Sequence, residues 1–540
     1  MNEQSKYSLR PLIIATSNLI VAVLLVLILL SYLITIDQKL LIEEYIKLLP
    51  SDIITHPLSP EPEEFILYIS SCILIVLIPL FFVYLRDSRY LFSTDTNLEK
   101  MSYRLSEGLL LVAFSIIFVS FFFTSKINSL IFKTQDPSYT EIVFTPVMGS
   151  LLVYSIILLP IFYMAIISIK KNIKFKIIIF LESFLYLIVF LIFLVSEYEN
   201  SDKYHFAFFI DSIVFINKGM LFSDMNVPLY GLYSLFLLPI FSLIELSVLN
   251  VGIIVSLLNI LVIFLISQSM RKIFDGNNYV VLLTLLSIIF FTLILNRILQ
   301  SSDWNHYYQY FPLRVLFPAL CIYFFIVFDK FLYSRFFISV FFLSFGIFWN
   351  FESGLIALLT FAISEIFKSI YMDRFKEIVP KTLILSIASF LSFITGYYIF
   401  SPYFSDSFFN FLIPTLTYGK LGLYMHPMRL FGEQLLILLP YYASVVVPIL
   451  FINNAKKNER LVYYFFFGVL GLGTFSYFVG RSFGQNIYGV MYPFIILCVL
   501  YFYDFIKNFK FFKDYLITNL AFITSSFFIF IPILIYSFSF

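Results

Sequence analysis

Long apolar runs, separated by short polar interruptions, repeat from one end of the chain to the other. A run of about 20 apolar residues, rising 1.5 Å per residue in a helix, is long enough to cross a hydrocarbon core of roughly 30 Å. The pattern predicts crossing helices near 13–36, 66–85, 106–124, 147–168 and 177–195. A polar stretch at 196–228 follows, and then runs at 228–268, 279–297, 313–328, 336–350, 354–367, 382–400, 434–452, 461–479, 488–503 and 516–538. Barrel strands do not fit, because they are about 10 residues long and alternate in polarity. The two short runs flanking Glu352 read as tilted or broken helices. The run 228–268 has length for two helices, whereas the charges on either side of it require an odd number of crossings. One full crossing plus one partial segment satisfies both. The expectation is an all-α polytopic integral membrane protein of 15 or 16 membrane segments with no large soluble domain.

Composition agrees with the pattern. A chain 61% hydrophobic and only 13% charged, with a mean hydropathy of +0.95, lies outside the range of soluble globular domains. A net charge of +2 with no long basic tract sets nucleic acid aside as a partner. Cys72, Cys321 and Cys498 lie inside apolar runs without paired spacing, so neither a disulfide framework nor a metal knuckle is implied. The first apolar run, Ile13 to Ile36, exceeds the apolar core of a secretion signal and lacks a small-residue cleavage site, which predicts a retained helix.

Orientation follows from where Lys and Arg gather. Lys6, Arg10, Arg86, Arg89, Lys100, Arg104 and Lys170 to Lys176 mark one side, and Arg271, Lys272, Lys330, Arg335, Arg374, Lys376, Lys381, Lys456, Lys457, Arg460 and Lys507 to Lys513 continue it. That side is expected to be cytoplasmic. The opposite face then collects His56, Asp202, His205, Asp303, His306, Glu352, His426, Arg429 and Arg481, including all four histidines of the chain. Rare ionisable groups sharing one membrane face predict a polar cavity opening outward. The basic stretch Lys170 to Lys176 suggests a division into a four-helix N-terminal extension, 1–170, and a core, 171–540, with external loops at 196–228, 298–312, 401–433 and 480–487. No internal repeat is evident, which weighs against a transporter built from inverted halves.

Each polar constellation has a functional and a bland account. Asp202-Lys-Tyr-His205 places a carboxylate and an imidazole on one helix face at i,i+3. Such a carboxylate can take a proton from an acceptor hydroxyl or hold a divalent cation, or the two can be a solvated interfacial pair. Asp303-Trp-Asn-His306 repeats the pairing, followed by tyrosines that suit either an interfacial belt or stacking with sugar rings. Arg314, just inside the next run, wants a counter-ion at that depth. Glu352, within Trp349-Asn-Phe-Glu352-Ser-Gly354, is either a functional carboxylate or a helix cap at a tight turn. Lys420, Arg429 and Arg481 suit capture of a phosphate, though headgroup snorkelling explains each singly. A phosphate loop, an HExxH helix, a GxSxG elbow and a CxxC pair are all absent, so cytosolic nucleotide chemistry is unsupported.

The order Asp202-x-x-His205, Asn217-Lys-Gly219-x-x-x-x-Asp224 and Pro228-x-Tyr230-Gly231 resembles the first external loop of polytopic GT-C type membrane glycosyltransferases, in particular a bacterial branch of them. Phe311-Pro-Leu-Arg314-Val-Leu-Phe-Pro318, the Trp349 to Gly354 turn and Gly480-Arg481-Ser482 also resemble features of that branch. The likeness covers roughly residues 177 to 510. It implies a GT-C-like helical core that takes sugar from a polyprenyl-phosphate donor on the outer face of a bacterial plasma membrane and passes it to a glycan, lipid or other acceptor. Asp202 matches the acidic residue that serves as base or metal ligand in that class, with His205 assisting, and Asp303 matches a second acidic loop position beside His306 and Glu352. Mg or Mn held by Asp202 and Asp303 is an optional cofactor, since not every enzyme of the class requires one. Arg481, Arg429, Lys420 and Arg314 are the expected donor-phosphate residues. Three other readings stay open: a surface-polysaccharide polymerase or ligase, a lipid-linked sugar flippase or transporter, and a non-enzymatic scaffold.

Overall fold

The computed structural model describes residues 62–87, 175–198, 203–222, 231–294, 310–328, 332–405, 407–412, 434–452, 457–480 and 484–508. Every regular element among them is helical. In chain order these are α1 Pro62–Asp87, α2 Phe175–Tyr198, α3 Lys203–Asn217, α4 Tyr233–Phe241, α5 Val248–Ile273, α6 Asn278–Ile288, α7 Leu316–Val327 and α8 Tyr333–Trp349. There follow α9 Phe351–Tyr371, α10 Ile378–Phe400, α11 Gln434–Leu450, α12 Glu459–Gly480, α13 Gly484–Val490 and α14 Tyr492–Asn508. A π-helical turn, Ile289–Ile294, extends α6.

Four stretches among the described residues are long and apolar enough to cross a membrane: Val248–Ile273, Phe351–Tyr371, Phe375–Tyr403 and Glu459–Val479. The fold is therefore all-helical with membrane-spanning character. Helices suit such a chain because each closes its own backbone hydrogen bonds. Buried hydroxyls follow suit. Ser256, Ser269, Thr284 and Thr292 donate to the carbonyls four residues earlier, at 2.7, 2.8, 2.7 and 2.6 Å.

By internal contacts the chain divides into two units, one of Met1–Gly149, Ile370–Met372 and Lys420–Ile487, the other of Ser150–Ser369, Asp373–Gly419 and Tyr488–Phe540. In the first, α11 and α12 pack along each other and α1 packs on both. The Tyr68 hydroxyl donates to the Leu472 carbonyl, and Ser71 Oγ lies 2.6 Å from the Tyr442 hydroxyl, so buried polar atoms of three helices are satisfied together. The boundary expected near residue 170, and the runs 13–36, 106–124, 147–168 and 516–538, lie outside the described residues.

In the second unit α5 packs against α2 and α7, and α8 packs against α10. The buried side of α10 is one stripe, Lys381, Ala388, Ser392, Gly396 and Phe400. Its small residues let α8 approach until the Phe348 ring occupies the space a Cβ on Gly396 would take. Ser344 and Ser389 join the same pair of helices at 2.8 Å.

The run 228–268 divides into two helices. α4 has nine residues, far too short to cross, and α5 has 26. Ser247 caps α5 by accepting from the Asn250 N–H at 3.2 Å, and Arg271 and Lys272 occupy its last turn. The short run 354–367 is different from expectation: α9 is a 21-residue helix that carries Glu365 and Lys368 inside its last turns. It continues past the apolar run because those charges are neutralised within the protein. Lys381 Nζ lies 2.7 Å from Glu365, Lys368 Nζ lies 3.8 Å from the other Glu365 oxygen, and Lys368 sits 5.3 Å over the Phe325 ring.

Candidate functional site

The turn from α8 to α9 builds the site. α8 ends at Trp349, and Asn350 takes an extended conformation, with φ −150° and ψ 117°. Its Oδ1 accepts from the Ser353 N–H at 3.0 Å, the usual N-cap contact. The cap is thus Asn350, not Glu352. Glu352 stands in the first turn, where a negative charge suits the helix dipole.

Glu352 is the counter-ion that Arg314 requires. Arg314 Nε lies 3.3 Å from Glu352 Oε2, and the two side chains keep 14% and 29% of their exposure. The residue before Arg314 is clamped by the same turn: the Leu313 carbonyl accepts from the Trp349 indole N–H at 3.0 Å and from the Ser353 hydroxyl at 3.4 Å. Arg314 itself lies in a turn whose N–H donates to the Tyr310 carbonyl at 3.0 Å.

The two residues that lead into α4, Gly231 and Leu232, reach this turn. Leu232 N–H donates to the Phe348 carbonyl at 2.8 Å. Gly231 lies in left-handed space, φ +94°, and a Cβ there would come within 2.6 Å of the Trp349 carbonyl. Only glycine meets both demands. Tyr233 then ties α3 to the turn. Its hydroxyl donates to the Phe209 carbonyl at 2.5 Å and lies 2.6 Å from Ser212 Oγ, and its ring stacks on Phe209 at 4.9 Å. Tyr233 also packs edge-to-face with Trp349 at 6.3 Å, and Phe236 does the same at 5.6 Å.

α3 itself ends in a left-handed glycine. Gly219 N–H donates to Ile216 and Met220 N–H to Phe215, at 2.9 and 3.1 Å, the paired bonds of a Schellman stop. The glycine of Asn217-Lys-Gly219 is explained by this local geometry, with φ +84° and open space around it. Asp211, on the exposed side of α3, has its carboxyl pushed up by partial desolvation.

Of the expected site residues, then, Arg314 and Glu352 come together. His205 belongs to α3, while its side chain, Asp202, Asp303, His306, Lys420, Arg429 and Arg481 lie outside the described residues. Among the described residues no group of three or more His, Cys, Asp or Glu gathers in a way that could hold a metal. Asp202 and Asp303, expected to hold Mg or Mn, are not among the described residues.

Two charged clusters went unnoticed in the sequence. In one, buried Glu182 of α2 accepts from Arg271, from Ser267 at 2.6 Å and from Tyr186 at 2.8 Å, which joins the start of α2 to the end of α5. In the other, Glu365, Lys368 and Lys381 are joined by Glu377, 3.0 Å from Lys381 Nζ, and by Ser369, which accepts from it at 2.8 Å. Ionisable residues inside apolar runs were the available signal for both. No family model, curated protein or solved structure matches the chain.

Proposed function

We propose that this chain is a membrane glycosyltransferase of the GT-C type, with 15 or 16 membrane segments, which transfers sugar from a polyprenyl-phosphate donor to an acceptor on the external face of a bacterial plasma membrane. One observation supports the reading above others. Residues from three separated segments that carry the resemblance lie together: Gly231 closes on the Trp349 carbonyl, and the Trp349 to Gly354 turn grips the Leu313 carbonyl and supplies Glu352 to Arg314.

In this reading the acceptor hydroxyl attacks the anomeric carbon and the bond from that carbon to the phosphate oxygen breaks, the electron pair leaving with the lipid phosphate. Asp202 takes the hydroxyl proton and His205 assists. Arg314 meets the charge developing on the phosphate, in company with Lys420, Arg429 and Arg481, and Glu352 fixes the direction of the Arg314 guanidinium. Aimed positive groups of this kind commonly supply the largest share of catalysis. A divalent cation held by Asp202 and Asp303 would supply further charge neutralisation.

The test is a pair of substitutions in the full chain, Asp202→Asn and Glu352→Gln, with surface glycan and protein level measured together. The expected result is loss of glycan product by roughly a hundredfold or more at unchanged protein level. Undiminished glycan with Asp202→Asn would sink the catalytic role of the loop.

A further inference from the structure

We propose that Trp349 and Ser353 are positioning residues for the Arg314 guanidinium, acting through the carbonyl of Leu313. The proposal rests on the reading that Arg314 meets the phosphate of a lipid-linked donor. Leu313 is fully buried, and its carbonyl receives two donors from the α8–α9 turn, the Trp349 indole at 3.0 Å and the Ser353 hydroxyl at 3.4 Å. These donors bracket Glu352 in sequence, one three residues before it and one directly after it. The turn that delivers the carboxylate to Arg314 Nε therefore also grips the backbone from which Arg314 springs.

The grip is itself held on both sides. Asn350 Oδ1 fixes the Ser353 backbone at 3.0 Å, and the edges of Tyr233 and Phe236 confine the Trp349 ring. Two fixed points, one on the main chain and one on the guanidinium, leave the Arg314 side chain little angular freedom. Orientation of this sort matters for a planar group that must meet tetrahedral phosphate oxygens, since binding is weakened by every rotamer that has to be frozen on contact. A purely packing role for Trp349 and Ser353 makes a different prediction: stability falls and anion affinity does not.

The experiment uses the full chain purified in detergent, with a short-chain isoprenyl monophosphate and inorganic phosphate as probes and calorimetry as the readout. Trp349→Phe keeps a large ring and removes the N–H; Ser353→Ala removes the hydroxyl and Ser353→Thr keeps it. We expect each of the first two to weaken isoprenyl phosphate binding roughly fivefold to tenfold, the loss typical of one hydrogen bond. Ser353→Thr should restore wild-type affinity to within about twofold on the same grounds. Lowered melting temperatures with unchanged affinity overturn the positioning role and leave the donor reading in place. If the wild type and Arg314→Ala are alike in binding neither probe, the donor reading fails and the positioning role fails with it. Inorganic phosphate binding as tightly as the isoprenyl ester, with the same losses in the variants, upholds the positioning role and removes the lipid from the donor reading.

Discussion

The two ends of α9 carry ion pairs of opposite character. Near its start, Glu352 meets Arg314 at 3.3 Å with 29% and 14% of the side chains exposed. Near its end, Glu365 meets Lys381 at 2.7 Å with 8% and 3% exposed. Thirteen residues separate the two glutamates, about 20 Å along the helix. The second pair is closed: Ser369, Glu377, Lys368 and the ring of Phe336, 5.9 Å from Lys381 Nζ, complete it from within the protein. A buried charge so surrounded holds helices together and offers nothing to a ligand. The first pair is longer, reached by solvent, and set in a turn fixed by four separate contacts, a geometry in which an anion can compete for the guanidinium. Burial and the length of the pair, not the mere presence of charge in an apolar chain, distinguish the two ends.

The contrast can be broken by removing one charge from the closed end. Lys381→Met leaves Glu365 and Glu377 without their shared partner, and loss of one member of a buried pair costs about 3–5 kcal/mol. The expected outcome is a sharp fall in folded protein, read as yield and melting temperature in detergent. Wild-type yield and melting behaviour would make the two ends equivalent. Glu352→Gln, by contrast, should leave yield unchanged, since the pair it breaks is longer and reached by solvent.

The next largest effect belongs to the contact between Gly231 and the turn at the open end. Gly231→Ala adds a methyl 2.6 Å from the Trp349 carbonyl at a positive φ, so we expect a loss of about 1–3 kcal/mol, with glycan product falling further than stability alone explains. Gly219→Ala is the control. Its φ is also positive, +84°, but nothing lies within 4 Å, so the cost is only the conformational one, about 1 kcal/mol. Equal melting temperatures for the two variants would dissolve the claim that Gly231 is pinned by the turn.

Much of the architecture was written in the apolar periodicity. The runs 66–85, 177–195, 336–350, 382–400, 434–452 and 461–479 each correspond to a helix whose ends differ from the run by a few residues. The extent of α9 was not legible, because Glu365 and Lys368 look like the end of a span until Lys381, Phe325 and Phe336 are seen to neutralise them. Arg314's need for a counter-ion could be read from depth alone. Its partner could not, since Glu352 lies 38 residues away and its choice depends on how the α8–α9 turn folds. Trp349 and Ser353 were hidden for the same reason: a side chain that grips a distant carbonyl leaves no periodic trace.

The fit of Phe348 against Gly396 also sets a clock. The two residues are 48 positions apart, with the whole of α9 between them. At synthesis rates of about 5–20 residues per second, roughly 2–10 s pass between the emergence of one and of the other. For that time the Phe348 ring lacks the α10 surface it packs on in the fold, and the turn bearing Glu352 is made before that helix.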